Sequence, residues 1–122
     1  EPLAGRKVTC PFPPETRIPV ASPGAVARAL VRVFEMPSQA IGPVRTMNIT
    51  ALTVTFADML RAVERRVGPR VHDLVDWAID PEMTRIVQSM AGGMASVRGA
   101  AAGVTADPDF DAIIDDYLAS AG

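Results

Sequence analysis

Thr16-Arg17-Ile18-Pro19-Val20-Ala21-Ser22-Pro23 runs directly into Ala25-Val26-Ala27-Arg28-Ala29-Leu30, and this junction decides how the chain is read. Thr16 to Ala21 is a strand candidate. Pro19 lacks a backbone donor, which assigns the strand to a sheet edge or bulge. Ser22 can cap a helix, and Pro23 suits its first position. Val26, Leu30, Val33 and Phe34 follow at helical spacing until Pro37 stops the run. A strand feeding a helix through a capped turn implies an α/β chain.

Working outward, Lys7 to Cys10 is a second short strand candidate. Pro11-Phe12-Pro13-Pro14 then forbids helix. Val44 to Ile49 is expected to form a strand that exits at Asn48. Thr55 and Asp58 have the spacing of a variant capping box. They open a helix with Phe56, Leu60, Val63 and Val67 on its apolar face, closed by Gly68-Pro69. Val71 to Trp77 alternates imperfectly and is a further strand candidate.

Asp80-Pro81 starts a helix carrying Met83, Ile86, Val87 and Met90, which dissolves at Gly92-Gly93. A short helical piece over 96–102 ends at Gly103. A last helix opens at Asp107-Pro108, with Phe110, Ile113, Ile114, Tyr117 and Leu118 expected to face inward. The count is about four helices and three or four short strands, with no repeat and no long linker.

The chain of 122 residues is the size of one domain. Its formal charge of −2 leaves no basic surface suited to nucleic acid. Arg61, Arg65 and Arg66 share one helix side, which reads as a solvated face diluted by Glu64. No apolar run approaches a membrane span. A single cysteine makes no internal disulfide, which suits a reducing compartment and a cytoplasmic location. The sequon Asn48-Ile49-Thr50 is attributed to chance.

Reactive side chains are scarce. The chain holds one lysine (Lys7), one histidine (His72), one cysteine (Cys10) and one tyrosine (Tyr117), far apart in sequence. Proton carriers and nucleophiles come mostly from such residues, so no catalytic group is assigned. No glycine-rich phosphate turn appears, and no metal set either. Asp107, Asp109, Asp111, Asp115 and Asp116 read as a solvated helix face with a favourable N-terminal charge. His72 reads as partly buried and bonded to backbone, Cys10 as a small hydrophobe, and Tyr117 as a core residue with its hydroxyl at the rim. Arg17 differs: beside a helix N-terminus, its guanidinium can present two donors to a carboxylate or phosphate. The plainer alternative is a surface arginine paired with Glu15.

These residues resemble the extended short-chain dehydrogenase/reductases. The segment 16–30 is similar to the family's arginine-led strand and following helix, and Met47-Asn48-Ile49 with the 55–67 helix to its next strand and helix. Asp80-Pro81, Arg85-Ile86-Val87, Ser96, Arg98, Gly103, Ala106-Asp107, Phe110, Ile114 and Tyr117 resemble, in order and spacing, the tail of the NAD-dependent epimerase/dehydratase group and its sugar-acid dehydrogenases. The likeness spans residues 1–122 as the C-terminal part alone.

That resemblance implies the substrate-binding portion of an extended Rossmann-type fold, with NAD held by an N-terminal nucleotide-binding part upstream. The family's Tyr-x-x-x-Lys pair should also lie there, since Ala121 stands four residues after Tyr117. The implied chemistry is hydride transfer on a hydroxyl-bearing sugar or sugar acid. Arg17 falls at the family's substrate-contacting arginine, and Ser22 is the second expected substrate contact. Asp76, Trp77, Ala78 and Ile79 stand where many nucleotide-sugar relatives carry an arginine, which favours a small acid or sugar. The partners implied are the chain's own N-terminal region, the substrate and, in some relatives, a second copy. A stand-alone interaction module without catalysis is the competing expectation.

Overall fold

The computed structural model describes residues 1–90 and 93–121. The chain folds as two compact units, Glu1–Ile18 with Thr53–Gly92, and Pro19–Leu52 with Gly93–Gly122. Both mix helix and strand, as the α/β reading requires. The strands are β1 (Val8–Cys10), β2 (Arg17–Val20), β3 (Leu52–Thr55) and β4 (Val75–Trp77). The α-helices are α1 (Pro23–Glu35), α2 (Ser38–Ile41), α3 (Phe56–Val67), α4 (Pro81–Ser89), α5 (Val97–Ala101) and α6 (Phe110–Ala121). β1 pairs in parallel with β4, Val8 opposite Val75 and Cys10 opposite Trp77. β2 pairs with β3.

In the first unit the proline run acts as a row of acceptors. Prolines cannot donate, but the Pro11 carbonyl takes the Asp80 N–H at 2.8 Å and the Pro14 carbonyl takes that of Ala57 at 2.8 Å. The starts of α3 and α4 are thereby tied to the strand exit. Phe12 stacks on Phe56, with ring centroids 5.2 Å apart. Thr55 and Asp58 form the reciprocal capping box, Asp58 N–H to Thr55 Oγ1 at 3.0 Å and Thr55 N–H to Asp58 Oδ2 at 3.1 Å. Leu60, Ala62 and Val71 are buried, and α3 packs on the 3-10 helix Pro69–Leu74. That helix corrects the expected strand from Val71: only Val75–Trp77 extends, because Gly68 at φ +89° and Pro69 set a tight turn first.

In the second unit Ala29, Ala102 and Val104 form a buried cluster, with Val33, Met36, Met47 and Ile49 packed against it. Small side chains on α1 allow this close approach. Gly103, at φ +80°, ends α5 in the left-handed region as its position in sequence implies.

One reading of this unit needs correction. No strand forms over 44–49. Two of its carbonyls are taken by the Arg98 guanidinium, which donates to Val44 O at 3.0 Å and Thr46 O at 2.8 Å and also to Ile41 O at 2.6 Å. A backbone whose acceptors point at one side chain has no ladder to offer, and the strand starts at Leu52 instead. On α1, Ala25 and Ala29 are buried and Val33 packs beside them, while Leu30 is 68% and Phe34 90% exposed.

On α6 Ile114 is buried as expected, but Tyr117 at 57% and Leu118 at 45% are exposed. On α4 it is Thr84 that is buried, and Met83 and Ile86 are exposed, as is Met90 just past its end. The Gly92-Gly93 break after α4 falls partly outside the described residues.

Candidate functional site

Arg17 opens β2 with an exposed side chain. Among the described residues no hydrogen bond or ion pair holds its guanidinium, so the pairing with Glu15 does not form. Its neighbour Thr16 is buried at 5% exposure, and the hydroxyl Oγ1 has no partner among the described residues. Thr16 keeps its backbone anchored, donating its N–H to the Pro13 carbonyl at 3.0 Å. A buried residue thus carries an arginine whose five donors face solvent.

Ser22 is 1% exposed, and both ends of its dipole are engaged. Its hydroxyl accepts the Ala25 N–H at 2.9 Å, capping α1, and donates to Asp107 Oδ1 at 2.7 Å. The Ser22 N–H reaches Asp107 Oδ2 at 2.8 Å. The acidic run therefore divides. Asp107, 7% exposed, is a buried carboxylate with both oxygens bonded, and Asp109 caps α6 by accepting the Ala112 N–H at 2.8 Å. The sequence offered one signal for Asp107, a carboxylate before Pro108, but nothing to show that Ser22 receives it. The helix end expected to assist Arg17 is filled by this carboxylate.

The other reactive groups stay apart. His72 lies in the 3-10 helix, exposed, with Nε2 2.9 Å from Glu64 Oε2. The expected backbone partner is replaced by a carboxylate because the ring faces α3 across a tight turn. Cys10 is half-buried, its Sγ 3.6 Å from the Phe12 carbonyl. Asp58 has a clearly lowered carboxyl pKa. Its backbone hydrogen bond from Thr55, then Arg61 and the Thr55 hydroxyl, hold its carboxyl down at about 2.

A shallow cleft of 440 Å³ lies in the second unit, lined among others by Arg28, Arg32 and Glu35 of α1 and by Gly103 to Thr105. Its arginines are engaged, Arg32 Nε donating to Ala102 O at 2.7 Å and Arg28 lying 4.0 Å from Asp107.

The residues present do not fit a dinucleotide. Such a cofactor's pyrophosphate rests on free N–H groups at a helix start after a strand. Here α1, α3 and α4 follow strands, and each start holds an acid: Asp107 at α1, Asp58 at α3, and Asp80 at α4, which accepts from Glu82 and Met83 N–H at 2.9 and 3.1 Å. A second anion would meet repulsion and occupied donors. No group of three or more potential metal ligands occurs among the described residues, nor a helix long and apolar enough to cross a membrane.

The class of fold is defined by solved structures. A nucleoside-diphosphate-sugar epimerase from Agrobacterium tumefaciens superposes with a TM-score of 0.80 at 24% identity, over 98% of this chain and 35% of that one. L-threonine 3-dehydrogenase from Trypanosoma brucei gives 0.80 at 20% identity, over 97% and 36%. The fold is thus similar to one part of the Rossmann-type epimerases and dehydrogenases, about a third of their length.

More particularly, the chain is similar to D-erythronate dehydrogenase of Cupriavidus necator, 35% identical over 122 residues, all of this chain and 38% of that protein. The protein of the same name from Haemophilus influenzae is 25% identical over 118 residues, 97% of this chain and 38% of its own length. No family model matches the chain. It resembles the C-terminal part of NAD-dependent epimerase/dehydratase-type proteins, and spans little more than a third of the curated relatives it matches.

Proposed function

We propose that the chain is the substrate-binding portion of an NAD-dependent oxidoreductase, a dehydrogenase or epimerase acting on a hydroxyl-bearing sugar or sugar acid. The observation that carries this reading is the 35% identity to a D-erythronate dehydrogenase, continuous over all 122 residues. NAD would supply hydride transfer at the carbon bearing the hydroxyl. The acid-filled helix starts support placing that cofactor on residues outside this chain. A single cysteine suits the cytoplasm as the site of action.

Arg17 is the proposed anchor for the acid's carboxylate. Its free forked donors match a planar anion in a way that lysine does not. Ser22, enclosed and hydrogen-bonded, would serve the substrate indirectly by fixing the start of α1.

The test uses the full-length enzyme with NAD and D-erythronate. Arg17→Ala is expected to raise KM by about tenfold or more with a smaller change in kcat, since it removes charged hydrogen bonds worth roughly 1.5–3 kcal/mol. Arg17→Lys should recover part of the loss. Unchanged KM in Arg17→Ala discards the anchor, and no NAD-dependent oxidation or epimerisation of any sugar or sugar acid discards the function.

A further inference from the structure

We draw no further inference here: the strongest candidate, the buried Thr16 hydroxyl just before β2, which has no partner among the described residues, belongs to the Arg17 site already described.

Discussion

Ser22 gives both its backbone N–H and its hydroxyl to the two carboxylate oxygens of Asp107, 85 residues further along the chain, at 2.8 and 2.7 Å. The same hydroxyl accepts the Ala25 N–H. One carboxylate thus holds a helix start that lies far from it in sequence. Asp107→Ala would leave a buried N–H and a buried hydroxyl without their acceptor, and the expected destabilisation is roughly 2–4 kcal/mol. Ser22→Ala retains the carboxylate but loses the cap, with an expected cost of about 1–2 kcal/mol. Denaturant unfolding measures both. Equal, negligible changes would mean that the pair contributes nothing to folding.

The start of α3 is held by a different acid, whose effect depends on pH. Asp58 sits near 2 in the fold against an ordinary 3.8, because the folded chain donates hydrogen bonds to its charged form. A depressed carboxyl stabilises the fold at pH above its ordinary value, and that contribution fades as pH falls through 3.8 toward 2. Asp58→Asn should therefore flatten the acid limb of stability between those values and leave its shape near neutrality unaltered. Thermal unfolding from about pH 2 to about pH 7 reads this directly. An unchanged acid limb would show that other groups carry it.

Arg98 links the last carbonyl of α2 to two carbonyls of the segment that follows it. Lysine has the charge but not the planar fork, so Arg98→Lys is expected to lose much of what Arg98→Ala loses, roughly 1–2 kcal/mol. Amide exchange over residues 42–50 should accelerate selectively in both variants. If it stays as slow as in the parent chain, packing by Met47 and Ile49 holds the segment without the guanidinium.

What the sequence revealed follows from the range of each interaction. Ser22-Pro23, Thr55 with Asp58, and Asp80-Pro81 are local signals, and each opens a helix as read. Gly103 ends α5 for the same reason. The Val44–Ile49 strand failed because its competitor, Arg98, lies some fifty residues away. Val26, Leu30 and Phe34 were correctly placed on a helix, but periodicity alone does not tell which of two apolar rows this chain itself buries. Small Ala29 won the inner place because its backbone can approach Ala102 and Val104 closely. Near the proposed site, Arg17 stands on the strand read for it and is exposed. The link between Ser22 and Asp107 was not legible, since nothing in either local pattern specifies the other.

The last prediction concerns NAD and the 122-residue chain itself. A dinucleotide needs a strand-to-helix turn whose N–H groups are free and whose local field favours an anion. At α1 the Ser22 N–H is held by Asp107, at α3 the Thr55 N–H is held by Asp58, and at α4 Asp80 takes two more. Each start therefore carries a negative charge where the pyrophosphate would have to sit. Calorimetric titration of NAD into this chain is expected to give only heats of dilution at millimolar ligand. The Asp80→Asn variant, which removes the charge from an exposed helix start, should also bind nothing, because no glycine turn lets a phosphate approach the backbone. Saturable heat with the parent chain would place cofactor-binding groups within these residues and reverse the division of labour proposed above.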